Sequence, residues 1–397
     1  MVAPFLNEAQ GVLQELRPAL SGILEGLSPP ARRASELRRR LELDQSLSWS
    51  VFSAATAGDS RVLASLLPGR RAMERFFSAA ELHGVPADAV ARARRAFERF
   101  ENLVARHAGS RDAFEAMVSE QGATPVSSSD LKHKRAAFRA NSLMWGRQAR
   151  VFCATKIVHP SAAGLPMLDG VFIKGMVGLH RTRQSVPLYT AAHHWRTANA
   201  GESAVPNPPE PLDPRESGPD AVGLLRDFCS QPLPEFRLTV SRQGYRSHTM
   251  VGHGLGPADE VTYFTGEARR AEGAAPGTMP GAEVMLFKVV DLPLEVFCGD
   301  ILMHRDVWGT RPPEVRVYAH PLDGSTEFRE HDLLSLTERA EYLGDGIGAA
   351  ATPLVPRYGE ILGYAMKRMG WRPEEFRVFR CRVEYPVLYT RIRLTLA

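Results

Sequence analysis

The spacing of apolar residues changes after about residue 147, and this change constrains the fold more than any other feature of the chain. Before it, apolar side chains recur every three to four residues, as in helices that bury one face. After it, runs of β-branched and aromatic residues lie between turn residues, as in strands. The sequence therefore predicts an α+β protein, with an all-helical N-terminal domain followed by a larger mixed or antiparallel α+β domain.

These patterns divide the chain into four segments. The segments are a helical domain at 1–121, a connecting helix and first strands at 122–199, a linker or long loop at 200–220, and the remainder of the α+β domain at 221–397. The third segment contains six prolines and no aromatic residue, which favours an extended, exposed chain. Within the last segment, helices are predicted at 221–229, 333–341 and 356–370, among several strands.

Cysteine usage and hydropathy bear on the compartment and on cofactors. The four cysteines form no CxxC pair, which argues against a disulfide framework and against a zinc ribbon. No run approaches 18 uncharged apolar residues, and the first residues lack the basic start and apolar run of a signal peptide. We therefore expect a cytoplasmic protein with reduced thiols, no membrane partner, no metal site and no cofactor.

One short segment, near 31–57, combines apolar spacing with a concentration of basic residues. Leu37 and Leu41 share one face of a short helix, Leu43 fills the turn that follows, and Asp44 is a good N-cap for a second helix. Two short helices this close in sequence must cross steeply to share a core. The local charge is strongly positive although the net charge of the chain is only +4. Five arginines supply that charge: Arg32, Arg33, Arg38, Arg39 and Arg40.

This segment resembles the helix-turn-helix of bacterial transcriptional regulators. In that family the second helix enters the major groove of double-stranded DNA and its N-terminal side chains reach base edges. The resemblance implies that Gln45, Ser46 and Ser48 face bases and that the five arginines contact phosphates. It also implies a homodimer and a C-terminal domain that binds a small-molecule effector or oligomerises.

Two positions of the segment depart from the family pattern, and a later helix bears on the dimer. The family usually has alanine where Arg38 stands and glycine in the turn where Glu42 stands, so Glu42 needs right-handed geometry or some strain.

An apolar stripe runs through the predicted helix 86–107. The stripe fits the core of the same chain better than a seam between two copies, although the second interpretation stays open.

The alternative hypothesis is a cytoplasmic enzyme whose site lies in the α+β domain. Its candidate catalytic residues are His248, His253, Asp300 and His304. Asp300 and His304 fall on one side of a predicted strand, and a carboxylate beside an imidazole can orient a general base. The same residues also suit a polar pair on a sheet surface, and a scaffolding protein without any site is a third possibility.

Overall fold

The computed structural model describes most of the chain, and it divides the chain into two compact units, Met1–Thr124 and Pro125–Ala397. The described residues are 2–57, 60–119, 128–188, 190–193, 209–216, 218, 221–240, 246–252, 254–321, 325, 327–336 and 338–397. The first unit is helical and the second contains the sheets, as the α+β prediction requires. No described helix combines the length and the apolar character needed to cross a lipid bilayer.

Seven helices in the described part of the first unit bury their apolar faces in one core. They are α1 (Val2–Gly26), α2 (Ala34–Leu41), α3 (Gln45–Thr56), α4 (Ser60–Leu66), α5 (Arg70–Leu82), α6 (Ala87–His107) and α7 (Arg111–Ser119). The stripe of α6 lies in this core, since Ala93 and Phe97 are at most 1% exposed. It therefore belongs to the interior of the unit and offers no seam to a second copy.

The turn between α2 and α3 is a left-handed reversal. Glu42 has φ 51° and ψ 37°, and the backbone N–H of Leu43 donates to the carbonyl of Arg38, which ends α2. Leu43 is buried in the core beside Leu37 and Leu41. The carboxylate of Asp44 accepts from the backbone N–H of Leu47 at 2.8 Å and so caps α3. Of the two outcomes expected for Glu42, right-handed geometry or some strain, the structure shows the second.

The second unit is built on a mixed seven-stranded sheet with the order β11-β12-β9-β1-β2-β7-β4. The helix α8 (Ser128–Trp145) precedes it. The strands of this sheet are β1 (Arg147–Pro160), β2 (Met167–Arg181), β4 (Glu210–Pro211), β7 (Val261–Ala274), β9 (Leu294–His304), β11 (Ala340–Asp345) and β12 (Phe376–Glu384). The pair β1·β9 is parallel and the other pairs are antiparallel. The C-terminal ends of β1 and β9 and the N-terminal end of β12 therefore lie at the same edge of the sheet.

Both faces of the large sheet are covered. One face packs against α9 (Tyr358–Met369), and the other packs against a sheet with the order β10-β13-β8. Alternate residues of β9 divide between them, with Ile301 towards the small sheet and Leu302 towards α9. The remaining strands are β3 (Thr190–His193), β5 (Glu235–Val240) and β6 (Arg246–Val251), which form a third sheet, and β8 (Val284–Val289), β10 (Glu314–Ala319) and β13 (Thr390–Leu396).

Three expectations for the second unit differ from the structure. The predicted helix 221–229 holds only the 3₁₀ turn Arg226–Phe228, because the backbone N–H of Leu225 pairs with the carbonyl of Phe264. The described residues of the predicted helix 333–341 are not helical: the N–H of Leu334 pairs with the carbonyl of Val317, and β11 begins at Ala340. Within the predicted linker, residues 210–212 pair with β7, and Leu212 is buried.

Glu42→Gly should stabilise the first unit, because glycine takes the left-handed region without the steric cost that a Cβ brings. The relief outweighs the entropic cost of glycine, which leaves a gain of about 0.5–1 kcal/mol in the free energy of unfolding. Glu42→Ala is the matched control, since it removes the carboxylate but keeps the Cβ. Urea denaturation followed by the helical circular dichroism signal measures both. An equal gain from Glu42→Ala would show that charge, and not backbone strain, sets the effect.

Candidate functional site

The first turn of α3 presents polar side chains to solvent. Gln45 and Ser46 are exposed, and the Trp49 side chain one turn later is 57% exposed. The opposite face holds Leu47 and Val51, which are buried in the core of the first unit. The helix therefore keeps an amide, a hydroxyl and an indole on its outer side, while its inner side fixes its position.

Ser48 does not belong to this exposed set, which corrects the prediction that it faces bases. Its side chain is 1% exposed, and its hydroxyl donates to the backbone carbonyl of Asp44 at 2.8 Å. Residues seven apart on an α-helix differ in direction by only about 20°. Ser48 therefore lies on the same face as Ala55, which is 3% exposed.

Exposed guanidinium groups lie on α2 and just before it. Arg32, Arg33, Arg38 and Arg39 are exposed, as phosphate contacts require. Arg40 is half-buried, and its Nη1 is enclosed by protein with no hydrogen-bond partner in the described part of the chain. Four of the five predicted arginines are thus open to solvent, and Arg40 is the exception.

The N-terminus of α3 carries its own negative charge. The pKa of the Asp44 carboxyl lies below its ordinary value, because the backbone N–H of Leu47 donates to it and Arg75 pairs with it at 3.0 Å. The carboxylate therefore stays ionised at neutral pH and occupies the helix end. The Asp44 carboxylate already accepts from a backbone N–H at this helix end and places a negative charge there. A DNA phosphate near this turn would therefore have to be bound by nearby arginines.

The three candidate catalytic residues that the structure describes lie in two different sheets. His248 is buried in β6 of the three-stranded sheet β3-β6-β5. Asp300 and His304 lie on β9 of the large sheet, and His253 falls outside the described residues. Asp300 and His304 do face the same side of β9, but four residues of strand separate them by about 13 Å. Asp300 and His304 therefore form neither a base with its orienting carboxylate nor a polar pair, and each has other partners.

Asp300 is instead the centre of a buried network under α9. Arg380 on the neighbouring strand β12 donates to both carboxylate oxygens, at 2.8 and 2.7 Å, and the hydroxyl of Tyr358 donates at 2.7 Å. The Tyr358 oxygen also lies 2.7 Å from the hydroxyl of Thr155 on β1. Burial raises the pKa of Tyr358, and the charge of Asp300 adds to this shift. The network joins β1, β9, β12 and α9, which is a structural role.

His304 has different neighbours. Its Nε2 lies 3.4 Å from Oε2 of Glu375, and its ring centroid lies 4.6 Å from that of His159. Within the described part of the chain, these three side chains are the group whose ligand atoms could hold one metal ion, all within 4.8 Å of one another. Sequence reasoning missed His159 and Glu375, since neither stands at metal-ligand spacing from His304.

The cysteines offer no nucleophile. Cys153, Cys229, Cys298 and Cys381 are free and buried. Burial raises the pKa of Cys229 to about 11, and burial raises that of Cys381 as well. Thiols of this kind are protonated at neutral pH and inert.

Comparison with known proteins gives no relative from which to transfer a function. No protein-family model matches the chain, and neither the curated proteins nor the solved structures yield a significant match.

Arg380→Met should strongly destabilise the second unit, because it leaves the fully buried Asp300 carboxylate without its charged partner. Removing one member of a buried ion pair costs about 3–5 kcal/mol. Arg382→Met is the matched control, since Arg382 lies on the same strand and pairs with Glu384 at the surface. Its loss should cost less than about 1 kcal/mol. Chemical denaturation monitored by tryptophan fluorescence compares the two, and similar losses would contradict the structural role of Asp300.

Proposed function

We propose that the protein is a DNA-binding transcriptional regulator that reads double-stranded DNA with α3. The observation that carries the proposal is the exposed first turn of α3 beside the exposed arginines of α2, while the inner faces of both helices are buried. A short helix held in this way can enter a major groove, which is wide enough to admit one α-helix. The left-handed turn at Glu42 adds support, because the family usually has glycine at that position.

The exposed side chains divide into base contacts and phosphate contacts. The Gln45 amide can pair bidentately with adenine, the Ser46 hydroxyl suits several base edges, and the Trp49 ring can contact a thymine methyl group. Arg32, Arg33, Arg38 and Arg39 serve the phosphates, where each contact adds to a salt-dependent affinity. Ser48 and Arg40 are left out of the proposed contacts because of their burial.

The partners of such a regulator follow from the resemblance. Regulators with this motif read two half-sites as homodimers, so the proposal includes a second copy of the chain. The stripe of α6 is not its interface, since that stripe is buried in the first unit. The second unit would bind a small-molecule effector or hold the dimer. The rival enzyme has less support, because His248 belongs to the sheet β3-β6-β5 whereas Asp300 and His304 belong to the large sheet.

Arg39→Glu should weaken binding to all duplexes, whereas Gln45→Ala should reduce selectivity. Selection from a random-sequence duplex library with the wild type provides the target. Loss of one phosphate contact lowers the slope of log affinity against log salt by about 0.9, and the reversed charge weakens binding further. Loss of a bidentate base contact costs about 1–3 kcal/mol at one base pair and little on non-specific DNA. Fluorescence anisotropy across a salt series measures both effects.

Two variants control this experiment. Arg95→Glu makes the same charge change on α6, where Arg95 is exposed, and should leave affinity close to that of the wild type. Ser48→Ala changes a buried hydroxyl and should leave selectivity unchanged. The proposal is abandoned if the wild type selects no sequence, or if Arg95→Glu weakens binding as much as Arg39→Glu.

A further inference from the structure

The large sheet brings three metal-ligating side chains to one edge. His159 stands near the end of β1 and His304 at the end of β9, and these strands are parallel, so both chains reach the same edge. Glu375 directly precedes β12, whose first residue pairs with His304. We propose that His159, His304 and Glu375 bind one divalent transition-metal ion. This inference does not depend on the DNA-binding proposal.

The geometry is close to that of a loaded site. The three ligand atoms lie within 4.8 Å of one another. Ligands about 2.1 Å from one tetrahedral ion are about 3.4 Å apart, so side-chain movements on the order of 1 Å complete the site. His304 and Glu375 have side chains only 7% and 15% exposed, and His159 is half-buried. His304 is therefore the most buried of the three ligands, and His159 is partly open to solvent.

Hydrogen bonds around the cluster orient the ligand atoms. Nδ1 of His159 lies 2.6 Å from the backbone carbonyl of Pro160, to which it donates, and this leaves the lone pair of Nε2 for a metal. The backbone N–H of Asp306 donates to Nδ1 of His304 at 3.3 Å, which leaves the ring proton on Nε2, facing Glu375. Ligation through Nε2 therefore requires the other tautomer, for which the Asp306 carboxylate, with Oδ2 3.7 Å from Nδ1, is a nearby acceptor.

Charged and aromatic neighbours complete the surroundings. Arg305 and Arg372 hold Oε1 of Glu375 at 3.4 and 3.3 Å, so Oε2 is the oxygen that faces His304. Trp371 stacks on His159 with a centroid distance of 4.9 Å and an interplanar angle of 7°. Outer contacts of this kind fix the orientation of ligands in metal proteins. If His304 and Glu375 formed only a structural polar pair, the imidazole of His159 would not need to lie beside them.

The donor set selects the class of ion. Two imidazoles and one carboxylate suit zinc and other first-row transition metals, whereas magnesium and calcium prefer sites made of oxygen atoms. Catalytic zinc sites also have three protein ligands, and water occupies their fourth position. We therefore expect Zn²⁺ and Co²⁺ to bind, and Mg²⁺ not to compete with them.

Titration of the full chain with Co²⁺ tests the proposal, since its visible ligand-field bands report coordination. The wild type should bind one ion per chain in a complex that Zn²⁺ displaces and Mg²⁺ does not. His159→Gln and Glu375→Gln should each lower the affinity at least tenfold. His331→Gln is the control and should bind like the wild type, because His331 is an exposed histidine beside Asp332.

X-ray absorption of the wild-type zinc complex keeps the proposal testable if a variant fails to fold. The spectrum should show two imidazole ligands and oxygen from Glu375 and water. The proposal is overturned if the wild type binds Co²⁺ more weakly than about 1 mM. It is equally overturned if binding persists in both folded ligand variants, or if the absorption spectrum lacks imidazole ligands.

Discussion

The left-handed turn at Glu42 is the constraint on which the proposed interface depends. Three residues, Glu42, Leu43 and Asp44, join α2 to α3, and so short a connection lets both helices bury their apolar faces only if the chain reverses sharply. Leu43 fills the angle between the helices and is itself buried. The strained backbone of Glu42 persists because burial around it outweighs its cost. One consequence is that Gln45 and Ser46, at the start of α3, face solvent while Leu47 enters the core.

In the second unit, the parallel pairing of β1 with β9 positions the residues of the proposed metal site. It aligns the ends of two strands that are far apart in sequence, as in the register that pairs Val158 with Met303. Because β12 runs antiparallel to β9, its beginning reaches the same edge. The buried Asp300–Arg380 pair joins β9 to β12 at positions that are partners in the strand register, and Tyr358 extends the network to Thr155 on β1. A polar network of this kind specifies one arrangement of strands, while the apolar layers on both faces supply most of the stability.

Local patterns in the sequence were sufficient to predict much of this structure. The helices of the first unit follow from apolar spacing and from separators such as Pro68, and the structure places α3 at Gln45–Thr56 against a predicted range of 45–57. The errors lie where distant segments decide the outcome. Leu225 and Leu334 stand in stretches with helical spacing, yet their backbone groups pair with Phe264 and Val317. Tertiary hydrogen bonds of this kind override local preference.

The candidate site was predictable to a similar extent. The exposure of Gln45 and Ser46 follows from the helical period, and the same period would have placed Ser48 with Ala55 on the buried face. The half-burial of Arg40 has no local signal, because it depends on how α2 lies against the rest of the first unit. The convergence of His159, His304 and Glu375 was also beyond sequence reasoning, since it rests on a parallel strand pair with no local signature.

Oxidative footprinting of Trp49 tests the central claim most directly. Trp49 is 57% exposed on the outer face of α3, and the indole is readily oxidised by hydroxyl radicals. If α3 enters the major groove, binding of a selected duplex should protect Trp49, and mass spectrometry should show its oxidation fall steeply. Unchanged oxidation of Trp49 in a complex known to be saturated with DNA would contradict the claim, because the duplex would then lie elsewhere.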